Sequence, residues 1–357
     1  MKYIGCDFHP SFQQIAMLDK ETGEMVERRL LHTEEARAFY EGLQGPVIVG
    51  IEASGNTHWF ESLLASCRQQ LWIGDAAAIA RQEGRKQKHD RRAAALILKL
   101  MLENRFPRIW VPTVEERELR QLLMHRHHLV RMRTQVKNQL QHIALNQGWQ
   151  KKRKLWSEAG LELLRNLKLG PWTQRRRDTL LEMLKDLEEK IRPLDQAVAK
   201  EAEQREAARR LATHPGVGPV IALATVLTMG EVNRFADSRR WVSYLGLNPS
   251  EHSSGQSRRL GSISKQGNPF LRQLLVEGAI TATRGDKDLA RTSARLKAKK
   301  HHGVAKVAVA RKLAVRLYWI ARTGKSYPEV VRMQGSQSHP VAETKAENLN
   351  RPPASHQ

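Results

Sequence analysis

Pro46-Val-Ile-Val-Gly-Ile-Glu52 decides how the first part of the chain folds. A β-branched run without polar alternation marks a strand covered on both faces, and such strands lie inside α/β layers. Towards the N-terminus, Tyr3–Asp7 is another short apolar run, and Gln14–Leu18 and Met25–Leu31 have strand character. Thr33-Glu-Glu-Ala36 has the form of a capped helix start leading into Arg37–Leu43. In the other direction, an amphipathic helix runs through Trp59–Gln69 and a strand covers Leu71–Gly74. Three strands, a helix, a strand, a helix and a strand predict a mixed α/β layer. Asp7 closes its first strand and Glu52 its fourth.

Further on, the apolar spacing of Ala94, Ala95, Leu98 and Leu102 is helical, and Phe106-Pro-Arg-Ile-Trp-Val-Pro112 breaks it. Thr113 caps a long helix to about Asn146, and a basic clamp, Lys151-Lys-Arg-Lys154, follows. Residues 158–212 carry heptad-like Leu180, Leu184, Leu187, Ile191 and Leu194, interrupted at Gly170-Pro-Trp172. They read as an antiparallel helical spacer, either a coiled-coil arm or a plain bundle. A second, mostly helical compact domain starts at Thr213, with an apolar helix at Val220–Met229 and a basic one near Ala305–Ala321. The expected organisation is an α/β domain with a basic helical extension over 1–150, a spacer over 151–212, and a second domain over 213–332. The polar, aperiodic segment 333–357 reads as a disordered tail.

The 357 residues include 60 Lys and Arg against 37 Asp and Glu, a formal charge of +23. Such a surplus points to a polyanionic partner, a nucleic acid first of all. Residues 1–80 are net acidic, whereas 81–154 and 214–357 are strongly basic. The acidic front is therefore expected to serve through its carboxylates, and the basic blocks to hold the polyanion. No stretch has the length of a membrane span, and the N-terminus has no apolar leader block, so an intracellular, cytoplasmic protein is expected. Two cysteines, Cys6 and Cys67, support neither a disulfide framework nor a cysteine zinc site.

Asp7, Glu52 and Asp90 are the carboxylates that the element order can gather. The first two end strands that can be neighbours in one sheet, and Asp90 opens a helix that can pack on that edge. Carboxylates so gathered bind Mg²⁺, which bridges phosphate oxygens in in-line displacement. Acids at strand ends can equally be solvated, and spacing alone leaves both readings open. A histidine group, His125-Arg-His-His128, has no carboxylate or cysteine at ligand spacing, which favours phosphate or solvent over a metal.

Here the motifs become specific. Ile4-Gly-Cys-Asp-Phe-His9, Val49-Gly-Ile-Glu-Ala-Ser54 and Lys88-His-Asp-Arg-Arg92, continuing to Arg105-Phe-Pro-Arg-Ile-Trp-Val-Pro112, form one set. Pro215-Gly-Val-Gly-Pro219, Tyr244-Leu-Gly-Leu-Asn-Pro249, His252-Ser-Ser-Gly255 and Ser264-Lys-Gln-Gly-Asn268 form the other. Together they resemble the DEDD insertion-sequence transposases, relatives of the Piv invertases that include bridge-RNA-guided recombinases. The likeness spans about residues 3–320.

The resemblance implies a RuvC-like, ribonuclease-H-type N-terminal domain and a C-terminal transposase domain. Its first three acids fall on Asp7, Glu52 and Asp90, acting with Mg²⁺, possible as a two-ion site. Its fourth acid belongs one helical turn after Asp90, where this sequence has Ala93. That departure puts catalytic competence in question. The family's nucleophilic serine immediately precedes the glycine and falls on Ser254; by spacing alone Ser253 is the other choice. By resemblance Ser254 forms a phosphoserine link to DNA. The resemblance also implies a bridge-type non-coding RNA, donor and target DNA, and homodimers assembling into a tetramer with composite active sites. The setting it implies is the nucleoid of a prokaryotic cell.

The remaining residues fit nucleic-acid contact. Gly216 and Gly218 suit a helix–hairpin–helix turn whose backbone N–H groups approach a phosphate. Arg258, Arg259, Lys265 and Arg272 surround the serine and the next helix start. Arg126, Arg131 and Arg133 with Lys151, Lys152, Arg153 and Lys154 suit an RNA backbone. Two other readings stand beside the recombinase: a Mg²⁺-dependent hydrolytic nuclease or junction resolvase, and a catalytically silent nucleic-acid-binding protein.

Overall fold

The computed structural model describes residues 1–32, 34–82, 89–150, 152–251 and 259–336. It divides into two compact units, Met1–Val111 and Pro112–Gln357.

The first unit is built on a five-stranded sheet. Its strands are β1 (Lys2–Phe8), β2 (Phe12–Asp19), β3 (Met25–Leu31), β4 (Val47–Glu52) and β5 (Gln70–Gly74), in the order β3-β2-β1-β4-β5. The hairpin strands β1, β2 and β3 are antiparallel, and β4 and β5 run parallel to β1. The mixed layer and all five expected strands are present. Helices α1 (Glu35–Glu41) and α2 (His58–Ser66) cover one face. There Ile4, Cys6, Ile15, Val49 and Ile51 pack with Tyr40, Phe60 and Leu64, all fully buried. The expected cap residue Thr33 lies outside the described residues; Glu34 precedes α1 and makes no side-chain cap bond.

A short helix α3 (Ala76–Ala80) follows β5, and α4 (Asp90–Leu102) covers the opposite face. Two glycines let it come close. A Cβ at Gly5 would stand 2.2 Å from the Ala94 carbonyl oxygen and 2.4 Å from the Leu98 nitrogen. One at Gly50 would stand 2.4 Å from the Met101 sulfur. The helix therefore runs down β1 and β4, with Asp90 at the strands' C-terminal ends.

The second unit is helical. Its long helix α5 (Val114–Asn146) starts at the expected place, with Thr113 and Glu116 forming a reciprocal capping box. After α6 (Glu158–Asn166), the 34-residue α7 (Pro171–Gln204) begins at Gly170 and Pro171 and continues through Pro193. Val136, Leu140 and Ile143 of α5 interdigitate with Leu180, Leu184, Leu187 and Ile191 of α7. The sequence reading grouped α5 with the sheet as a basic extension; in the structure its apolar stripe is buried along α7.

Around this hairpin lie α8 (Glu206–Ala212), α9 (Pro219–Met229), α10 (Ser238–Tyr244) and a two-stranded hairpin of β6 (Pro249–Glu251) and β7 (Leu260–Ile263). The unit closes with α11 (Pro269–Gly285), α12 (Lys287–Lys297), α13 (His302–Thr323) and α14 (Tyr327–Ser336). Their core gathers Leu223, Trp241, Leu271, Leu275, Leu313 and Leu317. Of the segment 333–357 read as a disordered tail, residues 333–336 are helical and end α14, and residues 337–357 lie outside the described residues. Among the described residues no helix is long and apolar enough to cross a membrane.

Candidate active site

The parallel register that pairs Cys6 with Ile51 brings Asp7 and Glu52 to adjacent strand ends. Side chains alternate along a strand. Cys6 and Ile51 are buried under α1 and α2, so Asp7 and Glu52 belong to the opposite, α4-covered face. Asp90 opens α4 after an extended His89, in the first turn, where unpaired backbone N–H groups favour a negative charge.

His9 completes the cluster. One ligand atom from each of Asp7, His9 and Asp90 lies within 4.8 Å of the others. His9 Nε2 is 3.4 Å from Asp7 Oδ2 and 3.7 Å from Asp90 Oδ1. That nitrogen is shielded from solvent and has no hydrogen-bond partner. Glu52 is half-buried at the end of β4 and is not in this cluster. Ala93 is half-buried one turn beyond Asp90, its N–H bonded to the His89 carbonyl at 3.0 Å. Its side chain is a methyl group and offers a cation no ligand atom. Sequence reasoning missed His9, which follows β1 in the turn to β2, where strand alternation no longer fixes the direction of a side chain.

Two carboxylates and an imidazole at this separation are a donor set that a divalent cation accepts. The neighbouring Cys6 is not part of it. Its thiol donates to Gln13 Oε1 at 3.1 Å, and burial pushes its pKa well up, so it stays protonated.

In the second unit, Ser253, Ser254 and Arg258 lie outside the described residues. The strands on either side, β6 and β7, pair antiparallel, and the Ser250 hydroxyl donates to the Ser262 carbonyl at 3.0 Å. Below this hairpin, the Tyr244–Pro249 and Ser264–Asn268 motifs meet backbone to backbone. A Cβ at Gly246 would lie 2.0 Å from the Gln266 oxygen, and one at Gly267 would lie 1.9 Å from the Tyr244 oxygen. Both glycines have positive φ, 66° and 78°. Arg272 ties the two motifs together, donating to the Leu245 and Gln266 carbonyls at 3.0 Å each. Lys265 and Arg259 are exposed on the same region.

The Pro215–Pro219 loop leads into α9. Gly216, at φ 84°, packs against α11, where a Cβ would stand 2.5 Å from the Ala282 nitrogen. Gly218 has open space around it at the α9 N-cap. Beneath the loop is a buried polar knot. His214 Nδ1 is 2.7 Å from the Pro215 oxygen, and its ring lies 4.3 Å from that of Tyr327. Tyr327 donates to Asp286 at 2.8 Å, and Arg316 pairs with the same carboxylate. With Asp286 so engaged, burial dominates and holds the His214 pKa down to about 4.

Among the cations expected to hold nucleic acid, Arg126 is ion-paired with Asp195 at 2.7 Å. Arg131 and Lys154 are exposed and Arg133 is half-buried. Lys151 lies outside the described residues, and Lys152, Arg153 and Lys154 open the short helical turn Lys152–Trp156. His127 is buried against Phe270, with ring centroids 4.8 Å apart.

Residues 4–148 match a transposase family model of the DEDD, IS110 type. Residues 208–294 match that of the Transposase IS116/IS110/IS902 family. The two matches together take in more than half of the chain. Among curated proteins, a probable family 20 transposase of Pseudomonas aeruginosa is 27% identical over 300 residues, covering 79% of this chain and 84% of the relative. A putative transposase of Sinorhizobium fredii is 26% identical, covering 89% and 87%. The transposase for insertion sequence element IS1111A of Coxiella burnetii is 26% identical, covering 78% and 77%. Asp7, Glu52 and Asp90 fall inside the first family match and the β6–β7 hairpin inside the second. The chain therefore belongs to the DEDD-type insertion-sequence transposases and is an enzyme acting on DNA.

Proposed function

We propose that this transposase cuts and rejoins the DNA of a mobile element, with a RuvC-like catalytic domain in its first unit and Ser254 as nucleophile in its second. The observation that carries this reading is the convergence of Asp7 and Asp90 at the C-terminal ends of β1 and β4. The sheet order β3-β2-β1-β4-β5 supports the RuvC-like assignment. Asp7, Glu52 and Asp90 are the residues that would hold a divalent ion, Mg²⁺ by resemblance. Bound there, such an ion would supply positive charge to offset that of the phosphate and of a departing oxygen. Position 93 supplies no carboxylate, so this centre has one acid fewer than the family pattern.

The protein's own part is a transesterification. The Ser254 oxygen forms a bond to phosphorus as one bridging P–O bond of the DNA breaks. The serine proton passes to a base, and the departing DNA oxygen gains a proton. Attack by a DNA hydroxyl on the phosphoserine reverses the exchange and conserves the bond energy. Arg259, Lys265 and Gly218, with Arg258, are proposed to contact the DNA backbone. Arg131, Arg133 and Lys151–Lys154 are proposed to hold a bridge-type RNA, and Arg126, Gly216 and Arg272 to brace these surfaces. By the same resemblance, homodimers are proposed to pair into a tetramer on donor and target DNA.

The test is strand exchange between element-end and target DNA in the presence of RNA from the flanking region. Ser254→Ala should abolish a covalent protein–DNA adduct, and Asp90→Asn should reduce its formation by orders of magnitude. Cleavage that survives Ser254→Ala would establish a hydrolytic nuclease instead. One observation, Ala93 in the seat of the fourth acid, favours a second reading, a nucleic-acid-binding chain without strand transfer. Under that reading neither the natural chain nor Ala93→Asp recombines a cognate DNA pair.

A further inference from the structure

His9 is unassigned by the four-acid pattern, yet among the described residues its side chain lies against both Asp7 and Asp90. We propose that His9 is a metal ligand, taking the coordination place that Ala93 leaves without a carboxylate. The centre then gains an imidazole beside its carboxylates and prefers first-row transition ions over Mg²⁺. This rests on the reading of Asp7 and Asp90 as cation ligands.

Three observations carry it. First, the spacing suits a shared cation better than a shared proton. At 3.4 Å and 3.7 Å, Nε2 is beyond a sound hydrogen bond to either carboxylate oxygen. Donors around one ion with bonds of about 2.1 Å stand roughly 3.0 Å apart when adjacent and roughly 4.2 Å when opposite. Both separations fall inside that range. Second, the imidazole ring is about a third exposed, 36%, but Nε2 itself is shielded and has no hydrogen-bond partner. A buried nitrogen in that condition is costly unless something binds it.

Third, the ring is held in place. The β1–β2 turn is closed by the His9 N–H bonded to the Phe12 carbonyl at 3.0 Å. The imidazole then stacks on Phe12, with centroids 4.5 Å apart and planes 21° apart. Phe12 in turn lies 3.8 Å from the Arg29 guanidinium. A ligand fixed by its surroundings binds with little loss of freedom. Replacing an oxygen donor by imidazole lowers the site's negative charge and softens it, which favours later first-row ions and disfavours Mg²⁺.

The experiment is titration of the full-length chain with Mn²⁺, without DNA, followed by electron paramagnetic resonance of free ion and by spin-echo detection of directly coordinated nitrogen. The expected result is bound Mn²⁺ with an imidazole nitrogen signal in the natural protein. His9→Gln should lose that signal and weaken binding on the order of tenfold or more. Asp90→Asn should lose it too, which places the signal at this cluster. His9→Asp should keep an ion while shifting preference towards Mg²⁺, so a folded, ion-binding variant remains in the series. Bound Mn²⁺ without a nitrogen signal, or unchanged on His9→Gln, overturns the assignment of His9 and leaves the carboxylate centre standing. No bound Mn²⁺ in the natural chain overturns both.

Discussion

Single residues set how close the parts of the centre come. Gly5 has no steric alternative, because a methyl group there meets two backbone atoms of α4. Gly5→Ala should push α4 off the sheet and cost about 1–3 kcal/mol, read as a lower urea midpoint at unchanged m-value. It should also weaken ion binding, because α4 carries Asp90. Ala93→Asp acts in the opposite sense, adding a carboxylate one turn from Asp90. Ion affinity should rise on the order of tenfold, measured by calorimetry; no change would mean that position 93 does not face the ion. Asp7 and Asp90 could be singled out from the sequence because they end a strand and open a helix. His9 could not be ranked above other histidines, because its role depends on a turn that aims its ring between two carboxylates distant in sequence.

At the scale of elements, the strands were legible because β-branched runs and alternation are local signals. The start of α5 was legible because Thr113 and Glu116 stand three residues apart, and the structure has both capping bonds. Thr113→Ala should therefore destabilise the second unit by about 1 kcal/mol in thermal or urea unfolding. The hairpin of β6 and β7 was not legible: Pro249-Ser-Glu251 is short and polar and carries no period-two pattern. Its base is held by Arg272, which bonds two loop carbonyls. Sequence reading offers Arg272 as a phosphate ligand; its bonds to the Leu245 and Gln266 carbonyls support the proposal that it braces the loops below β6 and β7. Arg272→Lys should then lower strand transfer while leaving the salt slope of DNA binding unchanged. A fall in that slope by about one charge would make it a phosphate contact instead.

Across the whole molecule, composition indicated a nucleic-acid partner, while the division into units depended on packing that charge runs do not report. The break in composition near residue 150 lies within the α5–α7 pairing, and the structural division falls at Val111. Stability should carry a pH signature from His214, whose folded pKa of about 4 lies below the ordinary value of 6.5. A base depressed in this way leaves the unfolded state binding more protons between those values. Stability is then full above pH 6.5 and falls progressively towards pH 4, by up to about 3 kcal/mol. Urea unfolding across that window checks it, and His214→Asn should flatten the slope. The central claim, that the carboxylate centre and Ser254 act together on DNA, is tested most directly by trapping the covalent adduct. Element-end DNA is incubated with protein, a first-row divalent ion and flanking RNA, then resolved under denaturing conditions. The account predicts an adduct that is lost on Ser254→Ala and on Asp90→Asn, and that increases on Ala93→Asp. Cleaved DNA with no adduct, or an adduct indifferent to Asp90, would contradict it.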